Sequence, residues 1–256
     1  MHSFPVPCNK NLWFSEFGAA DSAGRRLFAF PYGGAGAGAF RALAAAMPRD
    51  WVLSAMVAPG RERRFREPPF SDVHSLLDAL MPAFEALLDR PFAFLGHSVG
   101  ALVAFELCRR LRREGLPMPE LLCVSARVAP AAPRRMHDFH TLSGDALVEA
   151  VLALNRSSLG PAPIPDFIRA VEPQLRADFA ITDTYRYSPE PSLKVPLLAV
   201  GSSDDPSVRP EDLDAWKAET EVAFETQVFP DGGHFFLDRH ANALAARIER
   251  AWQRAV

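Results

Sequence analysis

Cysteine is scarce in this chain. Cys8, Cys108 and Cys123 are the three present, odd in number and widely spaced, with no Cys-x-x-Cys pair. Neither a disulfide framework nor a zinc site of ordinary spacing can be read from them. No apolar run approaches the roughly 20 residues that span a bilayer. The opening residues Met1 to Lys10 lack the basic segment and apolar stretch of a secretory signal, so a reduced, soluble, cytoplasmic protein is expected. Charge of one sign is missing as well. The 28 Lys and Arg against 31 Asp and Glu leave a formal charge of −3, which gives no general attraction to nucleic acid or an anionic membrane. With 48% hydrophobic residues at so low a net charge, a disordered chain is excluded and a sizeable core is expected.

Proline is what the chain has in excess. Its 256 residues include 23 prolines, against a usual ~5%, and their placement organises the chain. Short apolar runs at Leu12–Phe17, Arg25–Phe30, Trp51–Ala58, Pro91–Gly96, Leu121–Ala126, Val195–Val200 and Phe224–Phe229 read as strands, the first of them an edge. Several close on Pro or Gly, as at Pro31, Pro59-Gly60 and Gly96. Between them lie helical patterns: an Ala-rich one from Ala39, one from Ser71 or Asp72 that Pro82 should kink or delay, Val99–Arg113, and a final one over Leu237–Trp252. In the Val99–Arg113 helix, Leu102, Val103, Phe105 and Leu107 are expected inside, and Arg109, Arg110, Arg112 and Arg113 outside. Strands alternating with helices predict an α/β fold with a mostly parallel sheet covered on both faces. The stretch from Val128 to Pro196 breaks the rhythm with six prolines from Pro130 to Pro173 and helical patterns at Leu147–Leu154 and Phe167–Tyr185. It reads as a helical insertion over the sheet, so the whole chain, residues 1–256, is expected to be one domain, with approximately residues 130–192 as a helical lid.

Gly96-His97-Ser98-Val99-Gly100 is a G-x-S-x-G segment between a strand and a helix. There the serine occupies a strained turn, and the glycines let strand and helix approach without Cβ clashes. A nucleophilic serine needs a base and an acid, which in this arrangement follow along the chain as Ser, then Asp or Glu, then His. His234, in Asp231-Gly232-Gly233-His234, follows the last strand and is the base. His97 is read as packing beside the serine. The acid lies in the loop Gly201-Ser202-Ser203-Asp204-Asp205-Pro206-Ser207-Val208; Asp205, held extended by the following proline, is the first choice and Asp204 the alternative. Backbone amides of Val99 and of Gly33, with Tyr32 next in line, would hold the oxyanion. The run Gly33-Gly34-Ala35-Gly36-Ala37-Gly38 fits neither phosphate-binding pattern, having no Gly-Lys-[Ser/Thr] ending and no Rossmann setting.

Further segments carry a resemblance. Phe30-Pro31-Tyr32-Gly33-Gly34-Ala35-Gly36, Pro59-Gly60-Arg61-Glu62-Arg63-Arg64 with Glu67-Pro68, the Gly96–Ala101 elbow, Leu175-Arg176-Ala177-Asp178-Phe179, Tyr185-Arg186-Tyr187, Asp205–Val208 and Gly232-Gly233-His234-Phe235-Phe236 together resemble the type II thioesterases of polyketide and non-ribosomal peptide assembly lines. The elbow and histidine segments are shared with many α/β hydrolases; the proline-glycine-arginine and leucine-arginine-alanine-aspartate segments are more particular. The resemblance implies an α/β-hydrolase fold with a helical lid. It also implies hydrolysis of acyl groups from the phosphopantetheine arm of carrier proteins through Ser98, Asp205 and His234, with oxyanion donors at Val99 and Gly33 and with neither metal nor organic cofactor. Chain-releasing fatty acyl thioesterases, small-molecule carboxylesterases and a non-catalytic interaction protein are the competing readings. A monomer is expected, with acidic carrier domains docking at Arg61, Arg63, Arg64 and Arg66 or at the smaller pair Arg134 and Arg135. Two segments depart from the family pattern, Leu154-Asn155-Arg156-Ser157-Ser158-Leu159-Gly160 in the lid and Ser202 in the acid loop.

Overall fold

The computed structural model describes residues 10–20, 22–133, 138–154 and 165–255. Along them run strands β1 (Phe14–Phe17), β2 (Arg25–Phe30), β3 (Trp51–Met56), β4 (Phe92–His97), β5 (Leu121–Ser125), β6 (Leu197–Ser202) and β7 (Phe224–Phe229). The helices are α1 (Lys10–Trp13), α2 (Arg41–Ala46), α3 (Val73–Glu85), α4 (Val99–Glu114), α5 (Gly144–Leu154), α6 (Pro165–Ala170), α7 (Glu172–Asp183) and α8 (Ala241–Ala255). The strands form one sheet in the order β1-β3-β2-β4-β5-β6-β7, with β1 antiparallel to β3 at the edge and every other pairing parallel.

A parallel sheet needs cover on both faces, and the strand residues divide accordingly. Phe28, Phe30, Phe94, Val124 and Ala199 face the layer of α3 and α4, while Leu27, Ala29, Leu95, Cys123 and Val200 face α2 and α8. Phe28 alone meets the rings of Phe14, Phe84, Phe92 and Phe94 at centroid distances of 4.7–5.9 Å. Such edge and tilted contacts add to the area they bury. Helices α5 to α7 surround a small cluster of their own, Leu147, Val148, Val151, Ile168 and Leu175, while Ile181 of α7 joins the core on the α3 and α4 side.

Three expectations change. The segment starting at Leu12 opens as the end of α1, and the edge strand begins only at Phe14. Helix α3 starts at Val73 behind the cap Asp72, so Pro82 lies inside it and does not delay its start. Its ring and residue Asp78, whose carbonyl loses the i+4 donor, both sit on the exposed side of the helix, where water can serve that carbonyl. Arg109 points inward rather than outward: it is 3% exposed and pairs with Glu106 at 2.8 Å and with Glu190 at 2.7 Å. Glu106 is one turn away on the same helix, but Glu190 comes from distant chain, which periodicity cannot foresee. The departure at 155–160 and the pair Arg134 and Arg135 lie outside the described residues.

The sheet winds one way from β2 to β3 and the other way from β4 onward, so β2 and β4 are neighbours whose chains leave in opposite directions. Such a switch point opens a crevice at the carboxyl ends of the strands. The loops leaving β2 and β4 there carry Gly33 and Ser98.

Candidate active site

Ser98 has φ 56° and ψ −118°, a conformation that L residues rarely adopt. Its surroundings hold it there. A Cβ on Gly96 would overlap the Gly100 carbonyl oxygen, and one on Gly100 would overlap the Phe30 carbonyl oxygen. Both glycines of the elbow are thus required by close approach, the first to the opening turn of α4 and the second to the end of β2. The Ser98 N–H donates to the Ser125 carbonyl at 2.8 Å, tying the turn to β5.

The three residues expected from sequence lie in one chain of hydrogen bonds. The Ser98 hydroxyl donates to His234 Nε2 at 2.9 Å, and His234 Nδ1–H donates to Asp205 Oδ2 at 2.9 Å. Asp205 Oδ1 accepts from the Ser207 amide at 2.8 Å and the Ser207 hydroxyl at 2.7 Å. Burial would raise the Asp205 carboxyl, but His234 and the Ser207 donors outweigh it and hold it below its usual range. A carboxylate there remains ionised beside the imidazole. Asp204 faces another way, accepting from Ser202 Oγ at 2.6 Å and from the Gly233 amide at 2.8 Å, so it ties the acid loop to the histidine loop. The serine that stands at 202 is one of its donors.

His97 has more structure around it than a packing residue needs. Its Nε2–H donates to the His234 carbonyl at 2.8 Å, which leaves Nδ1 to accept from the Ser125 hydroxyl at 2.9 Å. Burial pushes its imidazole down to about 3, so it stays neutral and keeps this one tautomer. Thus His97 fixes the backbone of His234 while Asp205 fixes its ring.

A cleft opens over Ser98, walled by Gly33, Val99, Val128, Phe139, Phe179 and His234 among others. Gly33 and Val99, the two expected oxyanion donors, both line it, whereas the Tyr32 ring is turned against His97 and Phe235 at 5.6 and 4.9 Å. Of the apolar residues Leu147, Val151, Phe167, Ile168 and Phe179 in the helical segment, Phe179 lines the cleft; Leu147, Val151 and Ile168 pack on one another and Phe167 is exposed. Among the described residues no group of three His, Cys, Asp or Glu side chains could hold a metal ion.

The arginine cluster expected to meet a carrier protein is divided. Arg61 and Arg64 are each 6% exposed. Arg61 pairs with Asp178, and Arg64 forks onto Glu67 and lies 4.0 Å from the centre of the Trp13 ring. Those two are removed from any docking surface by their own burial. Arg63 and Arg66 stay exposed beside Phe65, which is 53% exposed. Asp178 and Ser207 stand in segments that the sequence marks without assigning either of them a role. The signal for Asp178 was opposite charge in the two most particular segments, Arg61 and Asp178; for Ser207 it was a hydroxyl two residues after an aspartate, the spacing of a local Asx turn.

Residues 25–252 match the family model described as a thioesterase domain. The gramicidin S biosynthesis protein GrsT of Aneurinibacillus migulanus is 34% identical over 227 residues, covering 89% of this chain and 88% of that one. Among solved structures, the type II thioesterase BorB from the borrelidin biosynthetic cluster superposes with a TM-score of 0.87 at 33% identity, over 94% of this chain and 98% of that one. The RedJ thioesterase of the prodiginine pathway of Streptomyces coelicolor gives 0.80 at 32% identity, over 91% and 88%. These neighbours share the α/β-hydrolase fold.

Proposed function

The chain belongs to the thioesterase family, and from that premise we propose that it is an editing, type II enzyme that hydrolyses acyl groups from the phosphopantetheine arm of carrier proteins, clearing stalled or misprimed polyketide and non-ribosomal peptide synthase modules. The kinship with GrsT, BorB and RedJ supports the setting. The observation that carries the chemistry is the unbroken bond chain from Ser98 through His234 to Asp205, opening on a largely apolar cleft.

Ser98 Oγ attacks the thioester carbonyl while His234 Nε2 takes its proton, so a C–O bond forms and the carbonyl oxygen gains negative charge. The Val99 and Gly33 amides hold that charge. As the tetrahedral species collapses, the C–S bond breaks and His234 gives its proton to the departing thiolate. Water then enters, loses a proton to His234 and attacks the acyl-serine; the C–O bond to Ser98 breaks and Oγ takes the proton back. Asp205 orients the imidazole and offsets its positive charge in both halves without taking a proton itself. No step requires a metal or organic cofactor, since the pantetheine belongs to the substrate.

Approximately residues 130–192, within a single domain spanning the chain, form the lid of the acyl pocket, with Phe179 on its inner side. The carrier domain docks at Arg63 and Arg66 around Phe65, where cations flank an exposed ring. The enzyme works as a monomer in the cytoplasm; no helix among the described residues is long and apolar enough to cross a membrane.

The test is intact-protein mass spectrometry after exposure to a panel of acyl-carrier proteins, run beside turnover of acyl-pantetheine and a nitrophenyl ester. A transient acyl adduct on Ser98 and a higher kcat/KM for the carrier-borne thioester are expected. Equal kcat/KM with and without the carrier would replace the reading by a general esterase, and adducts absent from Ser98 would remove the mechanism.

A further inference from the structure

The loop from Tyr32 to Gly38 includes four glycines and so has little side-chain bulk to fix its peptide planes. A backbone donor that must point at a developing charge cannot be left to such a loop alone. The structure supplies the restraint from outside, at three points. Asp178 Oδ2 on α7 accepts from the Gly34 amide at 2.7 Å. One turn earlier, Leu175 lies so close that a Cβ on Gly34, which has φ +77°, would stand 2.7 Å from its Cδ2. On the other side, Glu62 accepts from the Gly38 amide at 3.1 Å and occupies the space a Gly36 side chain would need.

Asp178 is itself held. Arg61 pairs with its Oδ2 and anchors to the Pro59 carbonyl at 2.8 Å, and both side chains are buried. The two most particular segments of the sequence therefore meet on the loop beside Ser98. Asp178 grips the Gly33–Gly34 peptide plane, which is joined through the Gly33 Cα to the Tyr32–Gly33 plane that holds the Gly33 N–H.

We propose that Asp178, held by Arg61, is a positioning residue for the oxyanion donor on Gly33, and that it joins α7 to the oxyanion loop as one unit. This rests on the reading of Ser98 as nucleophile. Phe179 and Thr182, on the same helix, line the cleft, so an acyl chain seated against α7 acts on the geometry of the oxyanion site. Burial pushes the Asp178 carboxyl up from its usual range despite Arg61 and the Gly34 amide. That direction means the charge in this place works against folding. An apolar pair would serve a purely structural purpose as well, as buried ion pairs replaced by packed hydrophobic groups often show.

The experiment uses the full chain and three variants: Asp178→Asn, Arg61→Lys, and the double variant Arg61→Met/Asp178→Leu. For each, kcat and KM are measured with a nitrophenyl ester and an acyl-carrier thioester, together with inhibition by a trifluoromethyl ketone that forms a tetrahedral adduct with Ser98. The single variants are expected to lose about ten- to a hundred-fold in kcat, less than the ~10²–10³ for deleting an oxyanion donor outright, with KM within about three-fold. Ketone affinity should fall in step with kcat/KM. The double variant should melt near the wild type and remain slow. Recovery of wild-type kcat in the double variant would overturn the proposal, as would an Asp178→Asn loss confined to KM or to the folded fraction. Should the double variant fail to fold, the parallel fall of kcat/KM and ketone affinity in Asp178→Asn still decides. A wild type that hydrolyses the nitrophenyl ester but not the carrier thioester would remove the carrier reading while leaving these ratios measurable.

Discussion

The triad and the helical segment beside it are held by different physical means. Ser98, Asp205 and His234 sit just past the carboxyl ends of β4, β6 and β7, strands of a sheet covered on both faces by apolar layers. Helices α5 to α7 share five buried apolar residues of their own and are tied to the sheet layers by one buried side chain of α7, Ile181, and by polar links. The links are Arg61 to Asp178 and, just past the end of α7, the Tyr185 hydroxyl to Glu106 at 2.6 Å, while His140 to Asp183 at 3.0 Å bonds within the segment. Apolar layers hold many atoms collectively, whereas a polar link sets one direction and is lost when one partner goes. On the proposed function the difference suits two tasks: geometry tolerant of no drift lies over the sheet, and the wall beside the acyl group is held by one core side chain and a few directional bonds.

The sharpest way to break this comparison is to remove chemistry without removing packing. Ser98→Ala should lower kcat by about 10⁴-fold or more, with a melting temperature within a few degrees of the wild type. Asp205→Asn should lose about 10⁴-fold through the wrong imidazole tautomer, and Asp204→Asn only a few-fold, because Asp204 braces the loops rather than the ring. Comparable losses at 204 and 205 in steady-state kinetics would contradict the bond pattern. Next in size are two leucines. Leu77→Ala, under the sheet with no exposed surface, should cost about 2–5 kcal/mol in denaturant unfolding. Leu147→Ala should leave the main transition less affected while raising hydrogen exchange across α5 to α7. If both variants shift one common transition equally, the two regions unfold as a single body and the contrast falls.

How far the sequence reaches follows the same division. Strands β2 and β7 have the limits their residue patterns predict, and Ser98, Asp205 and His234 are bonded in the order that motif and chain position imply. These depend on local facts: a glycine beside a close approach, a proline after a strand, an apolar run. Arg61, Arg64 and Arg109 read as surface cations and are buried; Arg61 and Asp178 are separated by 117 positions, and although Arg64 and Arg109 each have a carboxylate three residues away, the apolar cover that buries them comes from elsewhere in the chain. His97 shows the same limit. Its place beside the serine is local, but its bond to the His234 carbonyl depends on the whole sheet being assembled.

That bond gives a smaller prediction on the triad side. An imidazole held down at about 3, against an ordinary value of 6.5, is neutral in the folded chain and protonates first in the unfolded one. Between those two values the unfolded state binds the extra proton, so stability falls as pH drops from about 6.5 toward 3. In urea unfolding at a series of pH values, His97→Asn should be less stable than wild type near pH 7.5 yet lose stability less steeply below 6.5. Parallel pH profiles would show that His97 is not the group titrating.

The smallest effect belongs to the surface. Arg63 and Arg66 are exposed on the loop whose inward neighbours Arg61 and Arg64 are structural, so one short segment divides into a clamp facing in and a charged rim facing out. Rim charges act through encounter and salt dependence more than through the final contact. Charge reversal at Arg63 and Arg66 should therefore raise KM for an acyl-carrier substrate by about three- to ten-fold, within the usual worth of exposed charges, and the effect should shrink as ionic strength rises. Turnover of a nitrophenyl ester should not change, because neither residue lines the cleft. Equal losses on both substrates would place these arginines with the clamp and erase the distinction between the loop's two sides.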